Sequence, residues 1–266
     1  AALAPLLAPV LGGCIADWLS WRYDFWLIVL LSIPVYILAL DLKKADVPIG
    51  KEQKNITLQS ILGNYKEVLL HSPLEKMSFS VQSLYWGQSC FITISSFLFI
   101  NEMGINATQV GLLNVLFVCG LILGRFPAMY LQKHYSIRVA FVVNSALTLI
   151  TTVTMLAYYF IYGSHTLVEI ILLYSLQCIG FGGLSILGIR NCIVVGKENK
   201  GSATGYYHFS NQVFSWLGVA FAQYLYRLDF SSVDIFQWMT GIVLVLSLMG
   251  TFFFLRAYSC YKSLIE

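Results

Sequence analysis

The 266 residues are 58% hydrophobic and 15% aromatic, with only 11% charged and a net charge of +3. A soluble domain carries roughly 25% charged residues, so a soluble enzyme and a disordered chain are excluded, and the charge is too small for a surface that tracks nucleic-acid phosphates. An integral membrane protein with several spans remains.

Apolar runs occur at residues 1–16, 25–42, 77–100, 109–131, 139–162, 167–189, 203–226 and 235–255, eight in all. A span needs about 20 apolar residues as a helix, or about half that with strict alternation as a barrel strand. These runs stay apolar on nearly all sides, so the predicted fold class is an all-α integral membrane protein of about eight transmembrane helices. The first run opens at Ala1 with no basic flank ahead of it, unlike a secretory signal. It reads as a span cut short, in a fragment whose true N-terminus is expected upstream.

Basic residues orient the spans. With residue 1 on the cytoplasmic side, the inner loops and span ends hold Lys43, Lys44, Lys51, Lys54, Lys66, Lys76, Arg125, Lys133, Arg138, Arg190, Lys197, Lys200, Arg256 and Lys262, fourteen in all, against Arg22 and Arg227 outside. One span too many or too few would scramble that ratio. The C-terminus is therefore expected in the cytoplasm of a multi-pass protein of the inner or plasma membrane. Most connections are short, but residues 43–76 form a long polar one. Its stretch 58–70 has apolar residues at 58, 61, 62, 65, 68 and 69, the spacing of a helix lying on the inner membrane face. The expected organisation is two helices of a first bundle (1–42), a cytoplasmic linker (43–76), a six-helix bundle (77–257) and a tail (258–266).

The first run carries Ala4, Ala8, Pro9, Gly12 and Gly13 in the pattern Ala-x-x-x-Ala-Pro-x-x-Gly-Gly. Small residues four apart let helix backbones approach, and Pro9 cannot donate a backbone hydrogen bond. The string resembles the antiporter signature of the fifth helix in drug:proton antiporters of the major facilitator superfamily, with Ala4 and Ala8 in place of the usual glycines. Trp18-Leu-Ser-Trp21-Arg22-Tyr-x-Phe25-Trp26 is similar to the outer turn after that helix in the bicyclomycin and chloramphenicol resistance subgroup. Gly201-Ser-Ala-Thr-Gly205 is similar to the start of the subgroup's eleventh helix. The resemblance implies a twelve-helix exporter of drugs or other small lipophilic molecules by proton antiport, monomeric when complete, whose first four helices are absent here and required for function. The family's acidic–basic loop motif is incomplete: Gly124-Arg125-Phe126-Pro127, Lys133 and Arg138 retain the positive charge without an Asp.

Inside the spans the polar residues are neutral. Gln82, Trp86, Ser89 and Thr93 share one helix face by spacing; Asn114, Gln177, Tyr207 and Asn211 fall near the middle of later spans. The substrate-cavity candidates are Gln82, Trp86, Asn114, Gln177, Tyr207 and Asn211, a set suited to varied lipophilic molecules. Hydrogen bonding between helices is the other role open to each amide. Almost all of the thirteen acids lie in loops or at span ends, with Glu169 two residues into its span on the outer side; the resemblance implies that the proton-carrying carboxylates lie in the absent first and fourth helices. The four histidines, His71, His134, His165 and His208, read as dispersed and without acidic partners, which argues against a membrane enzyme. Six cysteines without a C-x-x-C pair call for neither disulfide nor metal, and no cofactor is expected. Asn55-Ile-Thr57 and Asn106-Ala-Thr108 match a glycosylation acceptor. Two other readings stay open: a non-transporting fragment of such a protein, and an importer of the same superfamily.

Overall fold

The computed structural model describes residues 3–44, 72–195 and 200–265, with 59, 63, 65, 66 and 68 between. These residues are helical apart from short turns. The elements are α1 (Leu3–Trp18), α2 (Arg22–Lys44), α3 (Ser72–Phe97) continued by a π-helical turn (Leu98–Glu102), α4 (Ala107–His134), α5 (Ile137–Tyr162), α6 (Leu167–Val195), α7 (Lys200–Arg227) and α8 (Ser232–Ile265). Each of the eight apolar runs lies on its own helix. Among the described residues six helices are long and apolar enough to cross a membrane. The apolar part of α1, Leu7–Trp18, is shorter than a full span. The 28 residues of α7 reach roughly 42 Å at about 1.5 Å per residue, and its polar side chains lower its hydropathy. Most of the surface helix expected over 58–70 lies outside the described residues; Gln59, Gly63, Tyr65, Lys66 and Val68 are helical, and Val68 is buried.

Local chemistry places the helix ends. Asn106 caps α4, accepting from Gln109 N at 2.8 Å while Gln109 Oε1 accepts from Asn106 N at 3.2 Å, a reciprocal capping box. Ser136 caps α5, and Gly163 ends it at φ 69°, where a side chain would be strained. The π-helical turn widens the end of α3, and Ile105 N returns to Phe99 O at 2.9 Å.

Packing divides the chain into a bundle and an attached pair. In the bundle, α3 packs on α7 and α8, while α6 packs on α4 and α5. The first helix of each three-helix run thus seats against the second and third helices of the other. Three helices per repeat reverse direction, so α3–α5 and α6–α8 are related as an inverted repeat. At the centre Phe91 stacks on Tyr174 with centroids 3.5 Å apart and meets Phe117 and Phe236 edge-on at 5.6 and 5.8 Å. Lipid tails are as apolar as these rings, so close packing rather than exclusion from water holds them together. The pair attaches through α1, which lies along α4; α2 touches α1 and presents Ile28, Leu30, Leu31 and Leu38 outward.

Contacts at the helix ends respect the expected alternation. Arg190 Nη1 donates to Gln132 Oε1 at 3.2 Å, joining the ends of α6 and α4, and the Arg138 guanidinium lies 5.8 Å from the Tyr258 ring, joining the start of α5 to the end of α8. Both contacts fall at the end where the basic residues were expected to gather.

Candidate functional site

The crossing of α1 over α4 is built from small residues on both helices. A Cβ on Gly13 would stand 2.6 Å from Ala107 O and 3.1 Å from Thr108 Cα. A Cβ on Gly111 would collide with the carbonyl oxygen of Pro9. The matched four-residue steps, 9 to 13 on α1 and 111 back to 107 on α4, bring two antiparallel backbones into contact, as small residues in membrane helices allow. Of the sequence-predicted motif, Pro9 and Gly13 lie at the crossing. Gly12 faces elsewhere, where an added Cβ would stand 3.8 Å from Asp24 Oδ1; Ala8 is exposed, and Ala4 lies in the first turn of α1.

Two hydrogen bonds to one carboxylate close the same crossing. Asp17 Oδ2 accepts from Thr108 N at 2.8 Å and from Thr108 Oγ1 at 2.5 Å. The end of α1 thereby supplies a second cap to the start of α4, where backbone N–H groups lack helical partners. The hydroxyl, then the amide, of Thr108 hold the Asp17 carboxyl below its ordinary value of 3.8. Asn106 and Thr108, matched in the sequence to a glycosylation acceptor, serve here as helix cap and clasp; Asn55 lies outside the described residues.

The polar residues expected to line a cavity lie inside the bundle. Gln82, Trp86, Gln177, Tyr207 and Asn211 are buried, and Asn114 is half-buried. Asn114 Nδ2 donates to Val110 O in its own helix, Gln177 Nε2 to Thr152 Oγ1 at 2.9 Å, and Tyr207 Oη to Ser185 O at 3.2 Å. Trp86 leans on Phe221 at 5.2 Å, with Gly218 packed against its backbone carbonyl. Gln82 Nε2 has no hydrogen-bond partner, while the Asn211 amide faces the Tyr207 hydroxyl. Gln177 borders a void of about 20 Å³ with Gln88 and Tyr174, whose hydroxyl donates to Gln88 Oε1 at 2.7 Å. Sequence spacing singled out neither Gln88 nor Tyr174, although both are polar residues within apolar runs.

Two larger openings lie elsewhere. One of about 310 Å³ runs between α3, α7 and α8 past Thr93, Phe97, Tyr226 and Arg227. The other, about 560 Å³, is an open groove between α5 and α8 with Tyr159, Asp234 and Gln237 on its walls. Behind that groove the structure corrects the reading of the histidines. His165 has an acidic partner: its Nδ1 lies 2.8 Å from Glu169 Oε2, both side chains being buried. The four-residue spacing was visible in the sequence, but it straddles the start of α6, where a helical i,i+4 pairing was not assumed. Among the described residues no three His, Cys, Asp or Glu side chains stand close enough to hold a metal.

A family model described as Major Facilitator Superfamily matches residues 1–186 and again residues 77–262. The chain is also similar to the chloramphenicol resistance protein CraA of Acinetobacter baumannii, 25% identical over 123 residues. That match covers 46% of this chain and 29% of the relative's length.

Proposed function

This chain belongs to the Major Facilitator Superfamily, whose members are membrane transporters rather than enzymes, and on that premise we propose that it exports small lipophilic molecules in exchange for protons. The observation that carries this reading is the crossing of α1 over α4 at Pro9, Gly13 and Gly111. There the attached pair touches the bundle backbone to backbone, as expected of a seam between two bodies that rock against each other. The distant similarity to a chloramphenicol resistance protein supports drugs as substrates.

In this reading residues 1–42 belong to a first bundle, 43–76 link it to the six-helix bundle of 77–257, and 258–266 form a cytoplasmic tail in the inner or plasma membrane. Helices before residue 1 complete the first bundle, and the complete protein works as a monomer. Gln82, Trp86, Asn114, Gln177, Tyr207 and Asn211 supply the polar and aromatic wall that meets the substrate. The unpartnered amide nitrogen of Gln82 supports this assignment. A buried amide without a partner costs about 1–3 kcal/mol, a cost relieved when rocking admits a ligand with donors and acceptors of its own.

The test is dye accumulation in cells expressing the complete gene product, with and without a proton gradient. Accumulation should fall on expression and recover when the gradient is collapsed. Pro9→Leu and Gly13→Leu should restore it to the level of cells lacking the protein, with membrane insertion unchanged. Efflux indifferent to the gradient rejects proton exchange, and normal efflux by both variants rejects the seam.

A further inference from the structure

Three side chains from three segments meet where α5 turns into α6. His165 sits in the turn, Glu169 in the first turn of α6, and Gln237 in the second turn of α8. His165 Nδ1 lies 2.8 Å from Glu169 Oε2, and its Nε2 contacts the amide nitrogen of Gln237. The exposures of the His165 and Glu169 side chains are 0% and 6%. The imidazole is enclosed by the rings of Tyr158, Tyr159 and Phe236, the last edge-on at 4.7 Å. The second carboxylate oxygen, Glu169 Oε1, is buried and has no hydrogen-bond partner.

We infer that His165, Glu169 and Gln237 form a binding site for a single proton. In the empty site the Gln237 N–H donates to His165 Nε2, and the His165 Nδ1–H donates to Glu169. The carboxylate then leaves a net charge of −1 among aromatic rings, which is costly because the medium is poorly polarisable and one oxygen has no donor. An incoming proton bonds either to Glu169 Oε1, the orphaned acceptor, or to His165 Nε2. In the second case the Gln237 amide turns over and its oxygen accepts. One O–H or N–H bond forms, no other covalent bond breaks, and the net charge goes from −1 to 0. A second proton would bury a charge of +1 with no counterion, so the capacity is one.

The surroundings suit such a site. Tyr159 and Gln237, which contact the imidazole, are also walls of the open groove between α5 and α8. The titratable neighbours are Tyr158 and Tyr159 on α5 and, on α8, Asp234. The Asp234 carboxylate is engaged by Ser231, whose hydroxyl donates to its Oδ2 at 2.7 Å. Glu102 after α3 and Arg227 on α7, at the same end of the bundle, are exposed. The site goes beyond the transport reading: it is a property of this chain's own bundle and does not depend on what the protein carries.

Magnetic resonance on the purified chain in detergent, labelled with nitrogen-15 in histidine and carbon-13 in glutamate carboxyls, tests this directly. One protonation step, at the His165 ring or the Glu169 carboxyl, is expected as the pH is lowered. Glu169→Gln should remove a step at the carboxyl or displace a step at the ring, since the carboxylate beside the imidazole is gone. Gln237→Leu should move the same midpoint while leaving the pair in place, which keeps the test readable if the Glu169 variant does not fold. A wild-type chain in which both groups keep one protonation state throughout overturns the inference, as does a ring step that neither substitution moves. Dye transport plays no part in this readout, so failure here and failure of the export reading are distinguishable.

Discussion

Helix α4 meets two other helices through glycine, and the two crossings differ in everything but that device. Near its start, Gly111 admits the Pro9 carbonyl of α1. Further along, Gly120 lies against Ser175 O, where a Cβ would stand at 2.8 Å, and Gly124 against the carbonyl of Ile179, both on α6; Gly182 of α6 returns the contact to the carbonyl of Leu121. The α6 crossing is surrounded by buried side chains, among them Phe117, Cys178 and Phe181. The α1 crossing has α2 outside it with its apolar residues exposed, and one carboxylate clasp, Asp17 to Thr108, at its end. Close backbone approach is therefore no measure of how firmly two helices are joined. What surrounds the approach decides whether it is part of a core or a seam.

Substitutions sharpen or break that contrast. The largest effect is expected from Gly124→Val, because a branched side chain there must displace the backbone of α6. Overpacking a well-filled interior costs about 1–3 kcal/mol, and thermal unfolding in detergent should show the whole bundle melting earlier. Gly111→Val should act locally instead. Spin labels on α1 and α4 should report a longer, broader distance, while the melting of the bundle stays where it was. Equal losses of thermal stability in the two variants would erase the distinction between core and seam.

A smaller effect belongs to the clasp. Thr108→Val removes the hydroxyl that donates to Asp17 and should broaden the same distance less than Gly111→Val does. The pH dependence has a definite sign. The Asp17 carboxyl is held below its ordinary value in the folded state, so its contribution is present at neutral pH. It is lost as pH falls through the lowered value and the carboxylate is protonated. Acidification should therefore loosen α1 in the wild type and have less effect on Asp17→Asn, read by the same labels; equal loosening in both would remove Asp17 from the account. The smallest effect is expected at Gly12, where an added Cβ has only ordinary van der Waals contact with Asp24. Gly12→Ala should lie within about 0.5 kcal/mol of wild type, and efflux lost in this variant alone would move the seam one residue along α1.

Much of the fold was legible from one line of residues. The apolar runs are local signals, since each is carried by neighbouring residues of one segment. The α1 motif was legible as a place of close approach. That its partner is α4, and that Gly13 rather than Gly12 faces it, depends on how α1 is rotated about its axis. The cavity candidates were legible as polar residues inside spans, but that Gln177 finds Thr152 while Gln82 holds an unpartnered nitrogen follows from the packing of neighbouring helices. The His165–Glu169 pair was missed for a related reason. Its spacing is local, but its burial depends on Phe236 and Gln237, some seventy residues further on.

By itself the sequence determined the class of solvent, the number of apolar rods and their alternating direction, because the cost of placing charge and bare backbone in hydrocarbon is set residue by residue. Only the tertiary structure decided which rods touch, which glycines become seams and which polar atoms are left without a partner. Between rods already dissolved in lipid, association is governed by shape and hydrogen bonding across surfaces distant in the chain, and no local pattern carries that information.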